Sequence, residues 1–342
     1  MKIIQTFATD KYSDELNYAR NTQMLFYHYC SLQCLRKVYG DDQDITLVTD
    51  TKGKELMNKY GFNYTEINTA LDDYPYSRPL VECGYKGYSL TLYPSDDVLH
   101  LDNDVFIKKP FPSFEDTIIQ GDEGNMVDFM FQQEWYKDLE KVVTFDFPDI
   151  LTGRMNNIYN PGVIGFKSGS VVREEYLDTH NTYLNLNTLK LKALTEEQKT
   201  SIKWTETLPL PYSIHCINTI LEEAVLYNLC LDNNITPTVI HTVEIAGPIP
   251  SYDADKKNVG EYFQRIGERQ QNFCSVTGYL HAMGIKHINK QHLYHLLGNI
   301  NTDPDTTFLP SIKESLPRFL NRRYGTFNDQ SIMIAIQDII YT

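Results

Sequence analysis

Apolar runs and polar breaks alternate in blocks along the first hundred residues. Residues 2–8 (KIIQTFA) form a short apolar run that predicts a first strand, and the polar segment 9–14 (TDKYSD) predicts the loop after it. Over residues 21–39, Leu25, Tyr29, Leu32, Leu35 and Val38 recur at helical spacing, and Gly40 supplies a stop. Residues 45–50 (ITLVTD) predict a second strand, residues 51–60 a helix ended by Gly61, and residues 63–67 a third strand. Strand and helix in alternation predict a parallel sheet with helical crossovers. The turn-rich stretch 70–78 (ALDDYPYSR) breaks the pattern, and residues 80–93 then predict a helix that carries Lys86, although Gly84 and Gly87 weaken it.

Residues 98–107 (VLHLDNDVFI) are apolar on both sides of two carboxylates one residue apart. They predict a buried fourth strand with the acids at its tip, the end where ligands of open α/β sheets gather. Residues i and i+2 share one side of an extended chain, so Asp102 and Asp104 are placed to face one divalent ion. A cation offsets the cost of burying the acids, and an ion that also holds a diphosphate suits a nucleotide-linked donor. A bare Asp-x-Asp is a weak signal; the apolar flanks strengthen it.

Pro110 and Pro112 end this strand. Beyond it the pattern predicts a strand at 117–119, an acidic loop at 121–125, a turn feeding a buried strand over 158–166, and a helix over 170–185. Residues 186–212, with Trp204, read as a variable polar loop. An amphipathic helix over 218–231 carries Glu222 and Glu223, a strand is expected at 235–243, and a helix at 256–280. Four histidines follow (281, 287, 292 and 295), then a boundary at 301–307, a basic helical segment with Arg318, Arg322 and Arg323, and an apolar end. No internal repeat is present in the pattern.

Composition narrows the partners. Lys+Arg 31 against Asp+Glu 45 gives a net charge of −14, which argues against nucleic acid and requires local positive charge or a metal for any anionic nucleotide. Of the six cysteines only Cys30 and Cys34 are close in sequence, which favours reduced, buried thiols over a zinc site. The N-terminus enters a strand without a signal-peptide core, and no apolar stretch approaches the roughly 20 residues of a membrane helix. A cytoplasmic location is expected.

The stretch 94–110 (PSDDVLHLDNDVFIKKP) resembles the metal-binding Asp-x-Asp strand of GT-A glycosyltransferases, and family 8 and related bacterial capsule or surface-glycan enzymes in particular. The resemblance implies a Rossmann-like, mixed, mostly parallel central sheet flanked by helices over residues 1–295. The nucleotide-binding half would span about 1–110, the acceptor half 111–295, and a C-terminal helical extension 296–342. It implies Mn²⁺ or Mg²⁺ held by Asp102, Asp104 and a third ligand, His281, with Asp102 and Asn103 also bordering the donor. Thr9, Asp10 and Tyr12 fall where such enzymes hold the nucleoside, Tyr12 stacking on uracil. Asn160-Pro161-Gly162 matches an Asn-x-Gly turn near the donor sugar, where glycine lets backbone approach closely.

Lys86 corresponds to a basic residue at the diphosphate. Gly284 and Lys286 resemble the late His-x-x-Gly-x-x-Lys segment, although the lysine falls one residue early and the expected Pro-Trp is missing. Glu222 and Glu223 are the candidate catalytic carboxylates, and their 100° separation on a helix lets only one face the site. The implied activity is transfer of a hexose from a UDP-sugar to a glycan or lipid-linked acceptor, in bacterial surface polysaccharide synthesis, with the basic C-terminal segment leaning on a membrane. Two alternatives share the motif. One is a haloacid-dehalogenase-like phosphatase using Asp102 and Asp104, disfavoured because three strand-helix units precede the acids. The other is a non-catalytic nucleotide-sugar-binding relative. A sugar-1-phosphate nucleotidyltransferase would need a Gly-rich, Arg-containing loop after the first strand, and 8–15 (ATDKYSDE) is not one.

Overall fold

The computed structural model describes residues 1–9, 18–76, 83–107, 109–124, 137, 139–152, 154, 157–201, 210–240 and 279–281. In chain order the elements are β1 (Lys2–Phe7), α1 (Tyr18–Tyr39), β2 (Ile45–Thr49), α2 (Thr51–Tyr60), β3 (Glu66–Asn68), α3 (Cys83–Thr91), β4 (Val98–Leu101) and β5 (Val105–Ile107). They continue with β6 (Thr117–Gly124), β7 (Ile158–Phe166), α4 (Val171–Lys192), α5 (Glu196–Ser201), α6 (Leu210–Asp232), β8 (Thr238–Val239) and β9 (Tyr279–His281).

Two units interleave along the chain. The first is Met1–Lys11, Ala70–Leu101 and Pro112–Gly247; the second is Tyr12–Thr69, Asp102–Phe111 and Pro248–Thr342. The main sheet has seven strands, β1-β4-β7-β6-β8 in the first unit and β2 and β3 in the second, while β5 and β9 form a separate ribbon. Parallel pairs (β1 with β4, β2 with β3, β6 with β8) outnumber antiparallel ones (β4 and β6, each with β7) in this sheet. The fold is mixed α/β with flanking helices, as the alternation of strand and helix predicts.

In the first unit β1 and β4 pair from Lys2 opposite Val98 onward, and Ile3, Ile4, Val98, Leu99 and Leu101 are fully buried. Thr6 Oγ1 lies 2.9 Å from His100 Nε2 and donates to Ser89 Oγ on α3, which ties strand and helix together. Gly87 has a packing reason: a Cβ there would lie 2.5 Å from His180 Nδ1, so only glycine lets α3 press on α4 this closely. The buried Arg173 guanidinium donates to the carbonyls of Leu90, Tyr93 and Asp96 at 2.9, 2.7 and 2.8 Å, which closes the end of α3.

In the second unit the Asp50 carboxylate caps α2 by accepting from Gly53 N at 2.7 Å, and Gly61 ends it with φ of 70°. Arg36 of α1 donates to Gln43 O, Asn63 O and Thr65 Oγ1, each within 2.9 Å, and so fixes the approaches to β2 and β3. His28 packs edge-on to Phe62 and Tyr64, whose hydroxyl hydrogen-bonds its Nε2.

Several expectations change. Residues 98–107 are two strands, and the acids occupy the turn between them, closed by Val105 N donating to Asp102 O at 3.1 Å. The expected acidic loop at 121–125 is strand to Gly124, because β6 continues along β7. Asn160-Pro161-Gly162 lies inside β7 rather than in a turn before it. The missing proline N–H falls where the β6–β7 register shifts, a place that tolerates it. Helix α4 runs to Lys192, and α5 and the start of α6 occupy part of the expected loop at 186–212. Residues 279 and 280 are strand where a helix was expected; 256–278, Trp204, the histidines after 281 and the extension 296–342 lie outside the described residues. Of the thiols, Cys34 and Cys230 are buried and free.

Burial pushes His28 down to about 3 and His180 to about 4 from an ordinary 6.5. Both folded values lie below the unfolded one, so the unfolded chain binds more protons between them. Stability is intact above pH 6.5 and falls on acidification, by about 1.4 kcal/mol per pH unit per histidine. Urea titrations between pH 6 and 4.5 should show a slope smaller by that amount in His180→Leu; an unchanged slope would show that His180 is not buried neutral.

Candidate metal centre

Leu101 ends the middle segment of the first unit, and Asp102 opens a segment of the second. The turn 102–104 leads into β5, whose antiparallel pairing with β9 sets Val105 opposite His281. This register brings a histidine from 177 residues away to the acids, with His281 Nε2 3.1 Å from Asp104 Oδ1 and 3.9 Å from Asp102 Oδ2. One ligand atom from each of the three side chains lies within 4.8 Å of the others. Among the described residues this is the only such group of three or more. Asp104 is 1% exposed and His281 8%, while Asp102 is half-buried.

These residues fit a divalent cation. Two carboxylate oxygens and one imidazole nitrogen form a donor set compatible with such an ion, and a carboxylate as buried as Asp104 calls for a positive charge beside it. The convergence comes from the turn and the β5–β9 register, not from an extended Asp-x-Asp.

A second polar cluster lies within the first unit. Lys86 Nζ stands 2.8 Å from Glu222 Oε1, both side chains 8% exposed, and donates to Pro161 O at 3.0 Å. The Asn160 side chain accepts from Gly162 N at 2.8 Å, which fixes the backbone beside that contact. Glu223 is buried as well.

A family model described as a family of unknown function, DUF6734, matches residues 1–308. The chain belongs to this family. No curated protein matches the sequence. The solved structure of mouse xyloside xylosyltransferase 1 in its apo form is 10% identical, with 84% of this chain and 99% of that one covered and a TM-score of 0.39. PaToxG glycosyltransferase is 14% identical over 78% of this chain and 85% of its own, with a TM-score of 0.29. The glycosyltransferase GlyE of Streptococcus pneumoniae TIGR4 is 11% identical over 98% and 63%, with a TM-score of 0.34. At such distances the chemistry of this DUF6734 member has to be read from its own side chains.

Of the residues singled out in the sequence, Asp102, Asp104 and His281 converge in the second unit, with Asn103 buried in the same turn. Lys86, Glu222 and the Asn160–Gly162 segment converge in the first. Thr9 lies just past β1 and is half-buried. Asp10, Tyr12, Gly284 and Lys286 lie outside the described residues. The pairing of Lys86 with Glu222 was not read from the sequence, because the partners are 136 positions apart and neither marks the other.

Removing one member of a buried ion pair strands the other. Lys86→Met or Glu222→Gln should each cost about 3–5 kcal/mol in urea unfolding, and Lys86→Met with Glu222→Leu together clearly less than the sum. Single losses below about 1 kcal/mol would show the pair to be solvated instead.

Proposed function

We propose that this chain is a divalent-metal-dependent glycosyltransferase that moves a hexose from a UDP-sugar to a glycan or lipid-linked acceptor. The observation that carries the reading is the convergence of Asp102, Asp104 and His281 on one point. Asp104 and His281 would hold the ion directly, and the less buried Asp102 would share it or reach the ribose. When bound, the ion supplies charge neutralisation for the donor diphosphate and for the leaving nucleotide.

The remaining roles belong to the chain's own residues. Thr9, Asp10 and Tyr12 would hold the nucleoside, Asn103, Asn160 and Gly162 would border the donor, and Gly284 and Lys286 would meet its phosphates. Lys86, engaged by Glu222 and Pro161 O, is better suited to hold that carboxylate in place than to leave it for a phosphate. Glu222 would then accept hydrogen bonds from sugar hydroxyls, and Glu223 is left as the candidate base. In this reading residues 1–295 form the catalytic region. The segment 296–342 is an extension whose basic stretch leans on an anionic membrane face, in the cytoplasm and in surface polysaccharide synthesis. Among the described residues no helix is long and apolar enough to cross a membrane.

A thermal-shift panel of UDP and UDP-hexoses with and without Mn²⁺ tests this. Ligand at a hundred times its Kd adds about 2.7 kcal/mol, so UDP with Mn²⁺ should raise the melting temperature by several degrees. Chelation and Asp104→Ala should each abolish the shift. Stabilisation that survives chelation, or an unchanged Asp104→Ala response, removes the proposed centre. Metal-dependent hydrolysis of an aryl phosphate would turn the reading to the phosphatase, and donor binding with no sugar release to a binding protein.

A further inference from the structure

His281 reaches the aspartates from β9, a strand of 3 residues whose partner β5 also has 3. A ribbon this short does not fix its own register, and a slip of one residue would turn His281 to the opposite side of the strand. Something besides backbone pairing has to hold it.

Tyr279 lies two residues before His281 and therefore on the same side of β9. It is buried, and its hydroxyl donates to Pro110 O at 2.6 Å. Its ring stacks on Phe111 with centroids 4.9 Å apart and an interplanar angle of 8°, and Lys109 Nζ lies 5.5 Å from its centroid. The segment that receives Tyr279 is itself held at both ends by α1. Ser31 Oγ donates to Val105 O at 2.6 Å, and Phe111 N donates to Tyr39 Oη at 2.8 Å.

We propose that Tyr279 is a positioning residue for the metal centre: by locking β9 onto Pro110 and Phe111 it sets the register that delivers His281 to Asp102 and Asp104. The inference rests on the metal-dependent reading above and adds a residue that touches neither ion nor substrate. Tyr279→Phe keeps the stack and removes only the hydroxyl; Phe111→Leu loosens the same anchor from the other side.

The probe is Mn²⁺ alone, added to the full chain and followed by the electron paramagnetic resonance of the free ion. Tyr279→Phe and Phe111→Leu should each weaken Mn²⁺ binding about tenfold or more, the range seen when groups that orient a ligand are removed. Excess Mn²⁺ should then restore turnover to near the parent rate, a rescue that a purely structural defect would not show. If both variants melt earlier without metal yet bind Mn²⁺ as the parent does, Tyr279 supports the fold only and the proposal is overturned. If they match the parent while Asp104→Ala and His281→Ala lose the ion, the proposal falls and the metal centre stands. A parent chain that takes up no Mn²⁺ overturns both.

Discussion

A carboxylate with almost no exposure, Asp104, is the constraint around which the second unit is arranged. Such a group is costly to desolvate, and the cost falls only when positive charge or directed hydrogen bonds stand against it. His281 is what the fold sets beside it, on a strand drawn from near the end of the described chain. The turn, the two short strands and the anchors from α1 all serve one outcome, the meeting of three donor atoms. Ser31 and Tyr39 hold the segment that carries the acids, so the helix, the turn and the late strand form a single mechanical path.

The distribution of cations within the units sharpens the case for an ion. Arg36 and Arg173 are buried, and their guanidinium groups are taken up by backbone carbonyls at the ends of helices and strands. Burial lowers both guanidinium groups from their usual range. Lys86 is engaged by Glu222 and Pro161 O. Each of these cations is engaged within the fold, and the chain as a whole carries −14. Asp102, Asp104 and His281 are, by contrast, residue types that can hold a divalent cation.

What was legible in the sequence follows from how local each signal is. The β2–α2–β3 passage was readable because its punctuation is short-range: Gly61 follows the helix directly and ends it in a left-handed conformation, while the Asp50 cap, whose carboxylate accepts from Gly53 N, is visible only in the structure. The Asp-x-Asp was readable from its flanks, yet its geometry was not. An apolar run broken by acids looks like one strand, and the backbone bond from Val105 to Asp102 that makes it a turn leaves no trace in composition. Gly87 weakened the α3 prediction by its helix propensity, whereas its reason lies on α4, where His180 leaves no room for a side chain. Asn160-Pro161-Gly162 looked like a turn by its Asn-x-Gly pattern, and only the β6–β7 register shift shows why a strand accepts its proline. Tyr279 carried no signal of its own, since one tyrosine among 24 becomes informative only when its hydroxyl is seen to reach Pro110.

The turn also changes what the paired acids do. On an extended strand, Asp102 and Asp104 would project in parallel, some 7 Å apart along the chain, and a single ion would sit awkwardly between them. In the turn both carboxylates come near one imidazole nitrogen, at 3.1 Å for Asp104 and 3.9 Å for Asp102. Asp104 turns inward and is covered, while Asp102 keeps partial contact with solvent, so the two differ in environment although they are chemically identical. That difference follows from the bend, which covers one carboxylate and leaves the other partly open. The motif is therefore better understood as a bend with two carboxylates at its ends and a histidine across from it.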